Sequence, residues 1–204
     1  MPCSLVNDPV TFVYFVIALL AAITVHECAH AWTADKLGDP NPRLDGRLTI
    51  NPFAHLDLLG TLMLFVLHFG WGKPVRFDPY NLKNPRRDSA FISLAGAAAN
   101  ILLAIVCSVL LQIFPLALFQ EIIVMNVSLA VFNLIPIHPL DGFKVVEGFL
   151  PEGAARQWHT LESLGYVLLL VLVFPLFGSS PVLRIVSALT NTIINLLIPA
   201  TPVV

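Results

Sequence analysis

The chain has 204 residues, of which 57% are hydrophobic and only 12% charged, with a mean hydropathy of +0.82. Soluble domains carry about 25% charged residues, so this composition argues against an ordinary soluble fold and for an integral membrane protein. A formal net charge of -2, with no basic run, supplies no electrostatic footprint for nucleic acid.

Pro9–Ala34 is the first long apolar run, and it is long enough to span a bilayer. No cleavable signal peptide is expected, because the start of the chain lacks basic residues and the apolar run is too long. Inside this run lies Thr24-Val25-His26-Glu27-Cys28-Ala29-His30. On a helix His26 and His30 stand one turn apart on one face. Two imidazoles so placed can grip one Zn2+, and the adjacent Glu27 can act as general base. Ionisable groups within a membrane segment are costly and read as functional by default. Cys28, two residues after His26, points to another helix face and reads as packing. The three cysteines, Cys3, Cys28 and Cys107, suit neither a disulfide framework nor a C-x-x-C site. His26 lies roughly 12 Å from the end of the run at 1.5 Å per residue, which puts the metal below one membrane surface rather than at the midplane.

Residues 39–52 are polar and turn-rich. Arg47–Ile50 alternates polar and apolar residues and predicts a short strand. Lys73–Phe77 predicts a second, with Pro74 marking an edge or a strand start. Between them, Leu56–Phe69 is apolar but short for a crossing. Ten of the eleven basic residues lie in Lys36–Arg87 or at Lys144 and Arg156, the exception being Arg184. A dip that returns keeps those ten on one side, so the positive-inside rule favours a re-entrant segment over a crossing.

Phe91–Phe114 is the second clear span. Its Ala95-Gly96-Ala97-Ala98-Ala99-Asn100 stretch is small enough for close helix approach, and Asn100 reads either as hydrogen-bonding glue or as the lining of a polar site. Glu121–Ile137 is a third span, broken beyond Asn133 by Pro136 and Pro139. Tyr166–Phe177 and Val182–Ile198 form a terminal hairpin that reads as scaffold. The expected fold is therefore an all-α multi-pass membrane protein. It has about five transmembrane helices, one re-entrant or short membrane segment, and a small membrane-associated β-sheet near the active site. Residues 1–204 form one integral membrane domain, with a catalytic core at about 10–150 and a C-terminal hairpin at about 160–199. The N-terminus is expected outside, with the His pair and Asp141 toward the cytoplasmic face of the cell membrane.

A catalytic zinc ordinarily has three protein ligands and one open position. Asp141 follows the double-proline break at the depth of the His pair, and Gly142 beside it permits an unusual turn. Asp141 is favoured as third ligand, with Asp57 a competitor and Asp35 an outsider. Its bland alternative is a cap for a following helix. His55, His68, His138 and His159 read as structural or interfacial.

Together these motifs resemble the site-2 protease family of intramembrane zinc metalloproteases (peptidase family M50), in its compact bacterial form. The matching residues are His26-Glu27-Cys28-Ala29-His30; Gly46 through Pro52 with His55 and Asp57; Gly70 through Val75; Ala95-Gly96 with Asn100; and Phe132 through Pro136 with Pro139-Leu140-Asp141-Gly142. The resemblance covers roughly residues 10–150. It implies one Zn2+ held by His26, His30 and Asp141, Glu27 as base, and Asn133 close to the scissile peptide. Ala97 and His138 stand where relatives commonly have Pro; His138 raises an extra polar contact near the metal. The expected activity is endoproteolysis of membrane-spanning protein substrates within the lipid bilayer. The competing readings are a catalytically idle zinc- or client-binding membrane protein and a transporter.

Overall fold

The computed structural model describes residues 8–57, 59–60, 63, 72–173 and 181–198. Helix α1 (Pro9–Leu37) starts where Asp8 accepts the Val10 N–H and Pro9 occupies the first turn, a position that suits proline because its missing N–H would have no helical partner. It ends at Gly38, whose φ of 118° belongs to the left-handed region. Gly38 also lies tight against the Asn81 carbonyl, so both backbone and space favour glycine there. With 29 residues, α1 rises about 43 Å.

The connection from α1 carries a short helix α2 (Asn41–Leu44) and 3-10 turns at Pro52–Ala54 and Pro79–Asn81. Buried polar side chains hold it together. Asp39, fully buried, accepts the Asp78 N–H at 2.7 Å, the Asn81 side-chain amide at 2.8 Å and the Asn41 N–H at 3.2 Å. Buried Arg47 donates to the carbonyls of Ala54 and Lys73, and His55 donates through Nε2 to the Thr49 carbonyl.

Helix α3 (Pro85–Ile113) is the central element. It packs against α1, against α4 (Ala117–Asn133) and against α5 (Asp141–Phe149). Its buried face includes Ala90, Ser93, Gly96, Ala97, Asn100 and Ala104, and the face that α1 buries includes Ala18, Ala22 and Ala31. Small residues on both faces let the two backbones approach. Larger apolar side chains such as Leu102, Ile105, Val109 and Ile113 are left exposed on α3. The chain continues through α6 (Glu152–Thr160) and α7 (Glu162–Val173) to α8 (Pro181–Leu197), which packs back on α4.

This architecture corrects the expected one. Among the described residues, two helices, α1 and α3, are long and apolar enough to cross a membrane, not about five. The span expected at Glu121–Ile137 is α4, whose 17 residues rise about 26 Å, short of a hydrocarbon core of about 30 Å. Helix α8 has the same length. For the Tyr166–Phe177 span, the described part ends with α7 at Val173, and residues 174–177 lie outside the described residues. Most of the Leu56–Phe69 segment also lies outside them. The small β-sheet is absent among the described residues, where pairing is limited to one isolated antiparallel bridge, Leu56 to Gly72. The reason lies in the backbone donors and the arginine. The Val75 N–H is engaged by the Glu27 carboxylate, and Arg47 turns inward to backbone carbonyls instead of lining a solvated strand face.

Replacing Asp39 with Ala leaves buried N–H donors without their acceptor. Thermal unfolding in detergent should register a loss of about 1–3 kcal/mol, the scale of an unmet buried donor.

Candidate metal centre

The metal-binding pattern is local in α1 and is completed by α3 and α5. His26 and His30 lie on the buried side of α1, with ring centroids 4.5 Å apart and planes perpendicular. His30 donates its Nδ1–H to the Ile92 carbonyl of α3 at 2.7 Å. A carbonyl accepts and never donates, so the tautomer is fixed and Nε2 carries a lone pair. His26 places Nδ1 at 2.6 Å from Asn100 Oδ1, which directs its Nε2 the same way. Both Nε2 atoms point at Asp141 Oδ2, at 3.1 Å from His26 and 3.2 Å from His30.

Gly96 makes room for this arrangement. A Cβ there would lie 2.6 Å from His30 Nε2 and Cε1 and 2.7 Å from His26 Cε1. Asp141 is set by a second glycine. A Cβ at Gly142 would fall 2.3 Å from the Leu134 carbonyl oxygen and 2.5 Å from that of Ile135, so α5 starts directly against the backbone that follows α4.

The ligand atoms of His26, His30 and Asp141 all lie within 4.8 Å of one another. Tetrahedral zinc with bonds of about 2.0–2.1 Å separates neighbouring ligand atoms by about 3.3 Å, close to the two distances from the imidazoles to Asp141. Two imidazole lone pairs and a carboxylate thus converge on a cluster that could hold a single metal ion.

Glu27, half-buried on α1, accepts the Val75 N–H through Oε2 at 2.9 Å. Asn133 lies at the end of α4 and donates its amide to the Leu129 carbonyl one turn back at 3.0 Å. Asp57 is not part of the cluster: its Oδ1 accepts the Gly60 N–H at 2.7 Å. Asp35 pairs with Arg43 at 2.6 Å. His138 also faces elsewhere. It stacks edge-on with Phe143 and Tyr166, faces Glu162 at 3.6 Å, and packs against Gly165 of α7. His55 holds the connection, and His159 pairs with Glu147. His68 lies outside the described residues.

Residues 111–175 match the sequence profile of peptidase family M50. The chain is 35% identical over 197 residues to YwhC of Bacillus subtilis, a protein assigned provisionally as a zinc metalloprotease, with 90% of each chain covered. The chain belongs to peptidase family M50, the site-2 protease family. Rip2 of Mycolicibacterium smegmatis, named in the same provisional way, is 31% identical over 175 residues, covering 79% of this chain and 67% of its own. The zinc metalloprotease MJ0392 of Methanocaldococcus jannaschii is 23% identical over 192 residues, covering 90% of this chain and 49% of its own. Nothing among solved structures matches. Membership makes this M50 protein a zinc metalloprotease, and its two long apolar helices accord with the membrane association of the family.

Three participants escaped the sequence reading: the space reserved by Gly96, the Val75 N–H on Glu27, and Asn126 behind Asn100. Of these only Gly96 left a trace, as one small residue in a small-residue run. Gly96→Ala should push the imidazoles apart and lower zinc affinity by about tenfold or more, the scale on which disturbed outer-sphere partners act. Zinc per chain after dialysis against graded chelator, measured by elemental analysis, checks this.

Proposed function

We propose that the chain is an intramembrane endopeptidase that hydrolyses peptide bonds of membrane-spanning protein substrates. His26, His30 and Asp141 hold the zinc, and Glu27 serves as general base. The observation that carries this reading is the position of the cluster within an apolar helix of crossing length. At 1.5 Å per residue His30 lies about 6 Å and His26 about 12 Å from the Ala34 end of the apolar run, within it rather than beyond it. A protease sited there meets substrate segments that are themselves in the bilayer.

Zinc, when bound, supplies the Lewis acidity that activates water and polarises a peptide carbonyl. Glu27 takes the proton of the attacking water and returns it to the leaving amine nitrogen. The Val75 N–H on Oε2 fixes the carboxylate for that transfer. Asn133 Nδ2 carries two hydrogens; one is engaged by the Leu129 carbonyl, and the second is the donor offered to the developing oxyanion. A helical substrate hides its peptide bonds in internal hydrogen bonds and must unwind before these groups reach it.

The cytoplasmic face of the cell membrane is the side assigned to the site. Eight basic residues, Lys36, Arg43, Arg47, Lys73, Arg76, Lys83, Arg86 and Arg87, lie between the His pair and the apolar part of α3, and the positive-inside rule retains such a connection in the cytoplasm. Residues 1–204 act as one domain, a reading supported by the packing of α8 on α4.

Glu27→Gln keeps size and hydrogen bonding but cannot accept the proton. Its zinc content should equal wild type, while cleavage of a single-span membrane substrate in reconstituted vesicles falls about 10²–10⁴-fold. Cleavage by the zinc-loaded variant at the wild-type rate contradicts the role given to Glu27.

A further inference from the structure

Behind His26 runs a fully buried chain of amides that crosses from α1 through α3 to α4. Asn100 and Asn126 are both 0% exposed. Asn100 donates through Nδ2 to two acceptors, the Ala22 carbonyl at 3.0 Å and Asn126 Oδ1 at 2.7 Å. Asn126 in turn donates through its own Nδ2 to the Ile122 carbonyl at 2.8 Å.

We propose that Asn126 is a positioning residue: it fixes the direction of the Asn100 amide and, through it, the metal-binding tautomer of His26. This rests on the reading of His26 as a zinc ligand. A side-chain amide can ordinarily be turned end for end, exchanging oxygen for nitrogen at nearly the same shape. Here the exchange is blocked at each link. Ile122 and Ala22 offer carbonyl oxygens, which only accept. The Ile122 carbonyl forces the Asn126 nitrogen toward α4 and its oxygen toward α3. That oxygen and the Ala22 carbonyl together demand the Asn100 nitrogen, so Asn100 Oδ1 is left to face His26. His26 must then protonate Nδ1 and keep its lone pair on Nε2, the atom that faces Asp141. If Asn100 turned over, its oxygen would oppose two acceptors and its NH2 would oppose Nδ1. The His26 proton would move to Nε2 and close the ligand position. Asn126 supplies one of the two acceptors that prevent this, from a helix that carries none of the three ligands.

The test separates this role from simple packing by reversing an order. In a purely structural role, Asn126→Leu is the mild change in an apolar core and Asn126→Asp the harmful one. For a direction-setting role the ranking inverts. Asp keeps an oxygen toward the Asn100 nitrogen whether ionised or protonated, and Leu offers none. The full chain is purified in detergent, loaded with zinc, and challenged with excess chromogenic chelator while the rate of zinc release is followed. Asn126→Leu should release zinc about tenfold faster than wild type, and Asn126→Asp should stay close to wild type. In an Asn100→Ala background, Asn126→Leu should add nothing, because its action passes through Asn100. Faster release from Asp than from Leu, equal and unchanged release from both, or a full additional effect in the Asn100→Ala background overturns the proposal. Should the Leu variant not purify folded, Asn126→Ala, which likewise offers no oxygen, takes its place: faster zinc release from Ala than from Asp supports the proposal, and release from Ala no faster than from Asp overturns it. His26→Ala is run alongside. If it retains zinc like wild type, the ligand reading itself falls and this inference with it. If it loses zinc while both Asn126 variants retain it, only this inference falls.

Discussion

Both imidazoles of α1 present Nε2 to Asp141 because their Nδ1 atoms are engaged on α3, one by the Ile92 carbonyl and the other by Asn100. The rest of the site follows from that pair of hydrogen bonds. They require α3 to run close along α1, and closeness requires small residues where the helices meet. Gly96 is the limiting case, because it lies where any side chain would enter the imidazoles. A larger residue could restore apolar contact elsewhere along α3, but it could not leave both rings in place. Packing and metal chemistry are thus set by the same residues.

The connection between the two long helices answers a different need. Its described residues are pinned largely by buried polar side chains. Asp39 gathers donors from three residues, and Arg47 reaches two carbonyls on separate stretches of the connection. A buried charge is costly unless its hydrogen-bonding capacity is met, so these residues act as clamps with defined geometry. The consequence reaches the chemistry. The Lys73 carbonyl held by Arg47 is two residues from the Val75 N–H that orients Glu27. Arg47 thus anchors the stretch of backbone from which the Val75 N–H reaches Glu27.

The sequence made the local part of the site legible. His26, Glu27 and His30 are related by helical spacing, which survives any tertiary arrangement. Asp141 was reachable because Pro136 and Pro139 end a helix beside it and Gly142 marks close backbone contact. Apolar runs were a weaker guide to the fold. Glu121–Ile137 has the composition of a span, but its helix runs over Ala117–Asn133, nearer the start of the chain and still only 17 residues long, and apolar composition alone does not distinguish a short helix from a crossing one. The alternation at Arg47–Ile50 misled for a related reason. It registers polarity without telling a solvated arginine from one turned inward to carbonyls. Asn126 was not legible at all, since a single asparagine in an apolar helix carries no pattern. His138, read as structural or interfacial from the sequence, is taken up by the aromatic and acidic groups around α7; the polar contact near the metal that the resemblance raised for it is not formed.

A metal site in an apolar helical core has few waters with which to correct a misoriented amide or imidazole, so orientation must be supplied by the protein. The amide chain from Ile122 to His26 begins at a main-chain carbonyl already held in α4 and is anchored midway by another in α1. Main-chain carbonyls cannot exchange donor for acceptor, and neither can the Ile92 carbonyl that fixes His30. The direction of every hydrogen bond leading to the two Nε2 lone pairs is therefore inherited from helix backbone. Helices α1, α3 and α4 hold the imidazoles in their ligand form as directly as they hold them in place.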